Sequence, residues 1–332
     1  MTLAWLWIQL IASTAIILLA ATHLTRAVEI VAKKTGLGRS FVGVLMLATA
    51  TSLPEMGTGA SSVLLDEPDI AIGAVFGSNL FNLVIIVFLD IAWRRGAILG
   101  AVSQTSTLVA WLGVGVISLG SVAVMLPHYT GFGAGWSIAP MSMLILGFFV
   151  VSMWAIYKSD LPMAPAADRG SDDHDMSLRR ASWTYATAAL VVIGASIWLA
   201  HTGDGLVERA GLQASFVGTL FLALCTSLPE VATSFAALRM GAPDLAVTNV
   251  LGSNLFNMGF VVVLNDGFLT RGSIWSEVSR VHAFTGAVGV LMTLLVVYGL
   301  RQRGPTRRFG TVECVGLLLL YIISSIVVYR AG

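Results

Sequence analysis

SFVGVLMLATATSLPEMGTGASS at residues 40–62, followed by PDIAIGAVFGSNLFN at 68–82, returns as SFVGTLFLALCTSLPEVATSFAA at 215–237, followed by PDLAVTNVLGSNLFN at 243–257. At a constant offset of 175 residues, positions 40–90 and 215–265 share 25 identities in 51 without a gap. Shared apolar composition does not produce that match, so the chain carries an internal duplication. The polar residues of each copy are repeated along with the apolar ones, and they lie inside stretches long enough to cross a bilayer.

The surrounding composition makes this a membrane protein. Of 332 residues, 56% are hydrophobic and 11% charged, more apolar surface than a soluble domain can bury. Apolar spans of about 20 residues, each enough for a hydrocarbon core of roughly 30 Å, recur near residues 4–31, 40–64, 69–92, 102–126, 135–157, 182–203, 214–239, 243–265, 276–299 and 311–329. The first span has no basic residue before Trp5 and no small-residue cleavage site after it, so it reads as a retained helix and not a secretory signal. Five spans separate the start of one copy from the start of the next. The copies therefore enter the membrane from opposite faces, as in transporters built from inverted repeats. The expected fold is an all-α membrane protein of ten transmembrane helices, two inverted five-helix repeats at 1–158 and 181–332, joined by a linker at 159–180. That linker, with Pro162, Pro165 and the cluster Asp168, Arg169, Asp172, Asp173, His174 and Asp175, lacks helical periodicity and reads as solvated. Cys225 and Cys314 both fall inside spans, which argues against a disulfide framework.

Charge orients the spans. Lys33, Lys34, Arg39, Arg94, Arg95, Lys158, Arg169, Arg179, Arg180, Arg239, Arg301, Arg303, Arg307 and Arg308 flank the loops after the odd-numbered spans. Only Arg209, Arg271, Arg280 and Arg330 lie on the other side, whose first loop is acidic at Asp66, Glu67 and Asp69. The positive-inside rule puts both termini outside. Trp5, Trp7, Trp93, Trp136, Trp154, Trp183 and Trp275 lie near span ends, where an interfacial aromatic belt is expected.

Glu55 and Glu230 sit at equal depth in spans 2 and 7, near the expected midplane, where a carboxylate is costly and marks function. Pro54 and Pro229 precede them and withhold a helical N–H, freeing the carbonyls of Ala50 and Cys225. Thr51 with Ser52, and Thr226 with Ser227, add hydroxyls in the same turn. In spans 3 and 8, Ser78 with Asn82 and Ser253 with Asn257 are i, i+4 pairs that project neutral oxygens along one helical face. Asn79 and Asn254 read as serving the turn, and Gly77 and Gly252 as permitting close helix approach. Two bidentate carboxylates and two threonine carbonyls reach the roughly six to eight oxygens that Ca²⁺ prefers, whereas Mg²⁺ wants a tighter octahedron. Two negative charges balance one divalent or two monovalent cations.

TSLPE at 51–55 and 226–230, and GSNLFN at 77–82 and 252–257, resemble the cation/calcium exchanger superfamily. The resemblance covers both repeats and implies the sodium/calcium exchanger fold. It implies that Glu55 and Glu230 ligate calcium, aided by the carbonyls of Thr51 and Thr226. Sodium sites would then use Ser52, Ser227, Ser78 and Ser253, with the carbonyls of Ala48 and Ala223. The chain departs from the family pattern at Ala50 and Cys225, where glycine is usual, and at Asn257, where several prokaryotic relatives have aspartate.

The function expected is secondary active cation antiport, Na⁺ against Ca²⁺, by alternating access at the midplane site, in a prokaryotic cytoplasmic membrane. Proton- or potassium-coupled exchange of Ca²⁺ or another divalent cation is the alternative on the same fold. A cation channel would differ in needing no counter-ion. An intramembrane hydrolase is disfavoured, because hydroxyls and amides surround the acids and no Ser/His or His/Glu metal-protease pattern appears. The chain is not expected to be an enzyme or to hold a cofactor. Its expected partners are the small cations Ca²⁺ and Na⁺ and the lipid bilayer, with no nucleic acid. His23 and His201 read as packed or interfacial, and Asp90 and Asp266 as solvated at span ends.

Overall fold

The structure, a computed structural model, describes residues 2–133, 135–136, 138–160, 176–209, 226–302 and 312–331. Among these there are helices and no strands. In chain order they are α1 (Leu3–Thr35), α2 (Arg39–Val42), α3 (Thr49–Leu64), α4 (Pro68–Trp93), α5 (Gln104–Thr130), α6 (Pro140–Asp160), α7 (Leu178–Arg209), α8 (Leu228–Arg239), α9 (Pro243–Phe256), α10 (Val262–Phe268), α11 (Ile274–Glu277), α12 (Val281–Arg301) and α13 (Val312–Ala331). Eight helical segments among the described residues are long and apolar enough to cross a membrane. The second expected span is present as α2, a π-helical stretch at Gly43–Ala48 and α3 in succession, and α8 is the described end of the seventh. The chain is an integral, multi-pass membrane protein.

Why the helices begin and end where they do is duplicated too. Pro68 opens α4 and Pro243 opens α9, each at a position whose N–H no helix needs. Just before each proline the chain reverses through a left-handed residue, Asp66 with φ 72° and Gly241 with φ 72°. The closing hydrogen bonds also match at an offset of 175, Glu67 N to Ser62 O at 2.9 Å and Ala242 N to Ala237 O at 3.0 Å. Glycine takes that conformation freely, and aspartate is among the few others that tolerate it. Asp66 also pairs with Arg271, whose guanidinium is held above its ordinary pKa by its hydrogen bond to Glu277 and by the charges of Asp66 and Glu277.

The connections sort onto two faces. On one, Arg39 forks onto Glu29 at 2.5–3.1 Å, Asp160 accepts from Phe41 N at 2.8 Å, and Asp244 accepts from Ser103 N at 2.5 Å. On the other, Asp69 accepts from Ser279 N at 2.6 Å and Asp266 from Ala139 N at 2.7 Å. This alternation is what full crossings require.

Burial separates a centre from a rim. The most apolar window of α4 is 78% buried and that of the α9–α10 run 89%, against 22% for α1, α6 and α13. Segments 68–93 and 243–268, which carry the GSNLFN motifs, therefore form the core, while α1 packs along α7 outside it. His23 and His201 face outward on α1 and α7.

Two expectations about span ends need correcting. Asp90 and Asp266 are 2% and 0% exposed, not solvated. Asp90 accepts from Ile98 N at 2.7 Å and Asp266 from Ile274 N at 2.8 Å, so each carboxylate caps the backbone that follows its helix. Trp275 is fully buried and donates to Ser142 Oγ at 2.8 Å, outside any interfacial belt, while Trp5, Trp7, Trp136, Trp154 and Trp183 are exposed as expected.

Candidate functional site

The local backbone at the site is irregular for identifiable reasons. A π-helical stretch ends at Ala48, three residues before Thr51, and another begins at Asn257. Single π turns inside α-helices shift hydrogen bonding by one residue and expose groups that a regular helix would use. Tyr185 of α7 donates to one such group, Met46 O, at 3.1 Å. Helix α3 runs through Pro54 without interruption, whereas at the equivalent place in the second repeat the chain turns at Ser227 and α8 starts afresh at Leu228. Gly252 brings α9 against the first π-helical stretch: a Cβ added there would lie 2.8 Å from the Cα of Val44, so it serves close approach as expected, whereas a Cβ at Gly77 would meet nothing within 4 Å and that half of the expectation fails.

The polar side chains of the two repeats meet in one buried cluster. Glu55 is 4% exposed and Glu230 fully buried, and Thr51, Ser52, Ser78, Asn82, Thr226, Ser227, Ser253 and Asn257 are all buried with them. Ser52 Oγ donates to Glu230 Oε1 at 3.3 Å, and Ser253 Oγ donates to the same oxygen at 3.4 Å. Thr51 Oγ1 donates to Ala48 O at 3.2 Å and lies 3.5 Å from Ser253 Oγ. Ala223 and Cys225 lie outside the described residues.

The asparagines form a hydrogen-bonded chain across the repeats. Asn82 Nδ2 donates to Asn254 Oδ1 at 3.0 Å, and its counterpart Asn257 Nδ2 donates to Asn79 Oδ1 at 3.4 Å. Asn254 Nδ2 also donates to Asn79 O at 3.0 Å. Asn79 and Asn254 are thus not turn-serving residues. They orient Asn82 and Asn257, and the spacing alone did not show it because the bonds cross between helices some 175 positions apart.

Several oxygens of this cluster have no protein partner among the described residues: both carboxyl oxygens of Glu55, Glu230 Oε2, Ser227 Oγ, and the amide oxygens of Asn82 and Asn257. A buried oxygen without a partner costs about 1–3 kcal/mol, and six together make a concentration of acceptors that only donors or cations satisfy. No group of three or more His, Cys, Asp or Glu residues converges among the described residues, so two carboxylates carry the charge and neutral oxygens complete the shell. Such a set suits hard cations. Sequence reasoning missed Asn249, whose Nδ2 donates to Thr233 Oγ1 at 2.9 Å and Ser234 Oγ at 2.8 Å, bracing α8 one turn from Glu230. Its repeat counterpart is Ala74, so repetition gave no signal for it.

Comparison with known proteins bears on this cluster. The family model described as sodium/calcium exchanger protein matches residues 5–158 and 181–330. The inner membrane protein YrbG of Escherichia coli strain K12 is 26% identical over 338 residues, 96% of this chain and 98% of that protein. The putative antiporter CaxA of Alkalimonas amylolytica is 23% identical over 299 residues, 88% of each chain. A solved structure of the sodium-calcium exchanger NCX_Mj, soaked with 100 mM Na⁺ and 10 mM Sr²⁺, superposes with a TM-score of 0.75 at 18% identity, covering 97% of this chain and 98% of that one.

Proposed function

The chain belongs to the sodium/calcium exchanger protein family, and we propose that it is a secondary active antiporter carrying Ca²⁺ one way and Na⁺ the other through the Glu55/Glu230 cluster. The observation that carries this reading is the set of unpartnered oxygens, contributed by both repeats around two buried carboxyls. Glu55 and Glu230 neutralise one Ca²⁺. The carbonyls of Thr51 and Thr226 complete its shell, while Ser52, Ser227, Ser78 and Ser253, with Asn82, Asn257 and the carbonyls of Ala48 and Ala223, hold the competing Na⁺ ions. Because both loads use the same two charges, occupancy by one excludes the other, which is the requirement for exchange.

Residues 1–158 and 181–332 act as the two opposed halves, joined by the 159–180 linker, in a prokaryotic cytoplasmic membrane with both termini outside. The α1–α7 pair rocks against the core to expose the site alternately. Thr25 on α1, which donates to Thr233 O of α8 at 3.3 Å, lies at that boundary.

Proteoliposomes loaded with Na⁺ and diluted into sodium-free buffer with labelled Ca²⁺ test the coupling. Uptake is expected, and equal Na⁺ on both sides should abolish it. Uptake that follows a pH gradient and ignores sodium would replace the coupling ion with the proton, and uptake with neither gradient would make the protein a channel.

A further inference from the structure

The two repeats slip out of register after Asn82 and Asn257. Up to Asn82 and Asn257 the offset is 175, but the capping aspartates Asp90 and Asp266, with their donors Ile98 and Ile274, stand 176 apart. The π-helical turn at Asn257–Val261 absorbs the extra residue. Everything after it is rotated by one position, so the structural counterpart of Leu89 is Asn265. Leu89 and Asn265 are both fully buried. Leu89 is apolar and needs nothing, whereas both Nδ2 and Oδ1 of Asn265 lack a partner among the described residues.

The amide lies against α3 at Gly59. A Cβ added to Gly59 would come within 2.6 Å of Asn265 Nδ2 and 3.3 Å of Oδ1, so any side chain there would displace the amide. Gly59 is four residues from Glu55, hence on the same helical face one turn away, and both oxygens of Glu55 lack a partner. The second repeat handles the same neighbourhood differently: Ser234, the counterpart of Gly59, and Thr233 accept from Asn249. There the amide nitrogen is used by both hydroxyls, and only Asn249 Oδ1 is left without a partner among the described residues. Against Gly59, one turn from Glu55, an amide stands with its hydrogen-bonding capacity unused, and Thr58 and Ser62, half-buried on α3, continue the polar line toward Asp66.

We propose that Asn265 Oδ1 is a further cation ligand, forming with Glu55 a subsite through which a cation passes between the central cluster and the face bearing Asp66 and Asp69. A neutral amide oxygen suits Na⁺ and Ca²⁺ alike, and one such oxygen beside one carboxylate binds weakly enough to hand the ion on. The inference rests on Glu55 being an exchange-site ligand.

The test compares Asn265→Leu, which restores the residue of the first repeat, and Asn265→Asp with wild type and Glu55→Gln in sodium-driven Ca²⁺ uptake, with thermal unfolding measured in parallel. Asn265→Leu should fold, lose at least about 5-fold in initial rate at low Ca²⁺ and raise the apparent KM. Asn265→Asp should lower the KM. Wild-type kinetics in both variants, with a higher melting temperature for Asn265→Leu, would make Asn265 a structural residue and overturn the proposal. Should Asn265→Leu fail to fold, the KM of Asn265→Asp decides alone, an unchanged value overturning the subsite. Full uptake by Glu55→Gln would sink the exchange-site reading itself, a result separate from wild-type behaviour at 265.

Discussion

Ser52 Oγ donates to Glu230 Oε1 at 3.3 Å, while the symmetry-related pair, Ser227 Oγ and the carboxyl of Glu55, is unmade, with no partner for any of the three atoms among the described residues. The two halves have the same chemistry at these positions and different hydrogen bonding. One carboxylate is anchored across the repeats and the other is available. In an inverted repeat the opposite pairing is the symmetry-equivalent arrangement of the same residues.

That asymmetry predicts unequal effects of equal substitutions. Ser52→Ala removes a hydrogen bond to a buried carboxyl and should cost about 1–3 kcal/mol, lowering the melting temperature of cation-free protein by roughly 2–4 °C. Ser227→Ala removes a buried hydroxyl without a partner among the described residues and should raise it slightly. Thermal unfolding in detergent without Na⁺ or Ca²⁺ measures both, and equal shifts would show that the two pairings are populated alike.

Glu55→Gln and Glu230→Gln should each abolish Ca²⁺ transport in folded protein. Losing one charge of a buried pair costs about 2–5 kcal/mol, so Ca²⁺ affinity should fall roughly 30-fold to several thousand-fold. Asn82→Ala and Asn257→Ala should be milder. Binding calorimetry separates the loss of affinity from any loss of movement.

Asp266→Ala should damage the fold and not the site. Its carboxylate accepts from Ala139 N, Ser142 Oγ and Ile274 N at 2.7–2.8 Å, and removing it strands these buried donors at about 1–3 kcal/mol each. A sharp fall in monodisperse yield is expected, with near-normal Ca²⁺ affinity in the protein that survives. A selective loss of affinity with normal yield would place Asp266 in the transport machinery instead.

Orientation is open to direct test. In a variant lacking Cys225 and Cys314, a cysteine at Glu67 should react with an impermeant thiol reagent in intact cells, and one at Arg95 or Asp172 should not. The reverse pattern would overturn the charge-based orientation. Asp172 lies outside the described residues, so Arg95 gives the structural control for the same face.

The duplication, the membrane class and the candidate set of Glu55, Glu230 and the hydroxyl and amide residues that the structure buries with them were legible in the sequence. Each of those rests on local facts: residue type, helical spacing and the expense of a carboxylate among apolar neighbours. The prolines at 68 and 243 and the left-handed residues at 66 and 241 were equally local, since a turn is specified by the residues in it. Tertiary structure alone decided which oxygens remain unpartnered, because a hydrogen bond such as Asn82 to Asn254 or Ser52 to Glu230 depends on how helices from opposite repeats cross. It also decided the fate of Asp90, Asp266 and Trp275, whose burial comes from the segments folded over them. Above all, it displaced the second repeat by one residue at Asn257–Val261. A gapless alignment pairs Asn265 with Asp90 because it scores residue identity, and only the π turn, which changes helical phase without changing a letter, sets Asn265 against Gly59, one helical turn from Glu55.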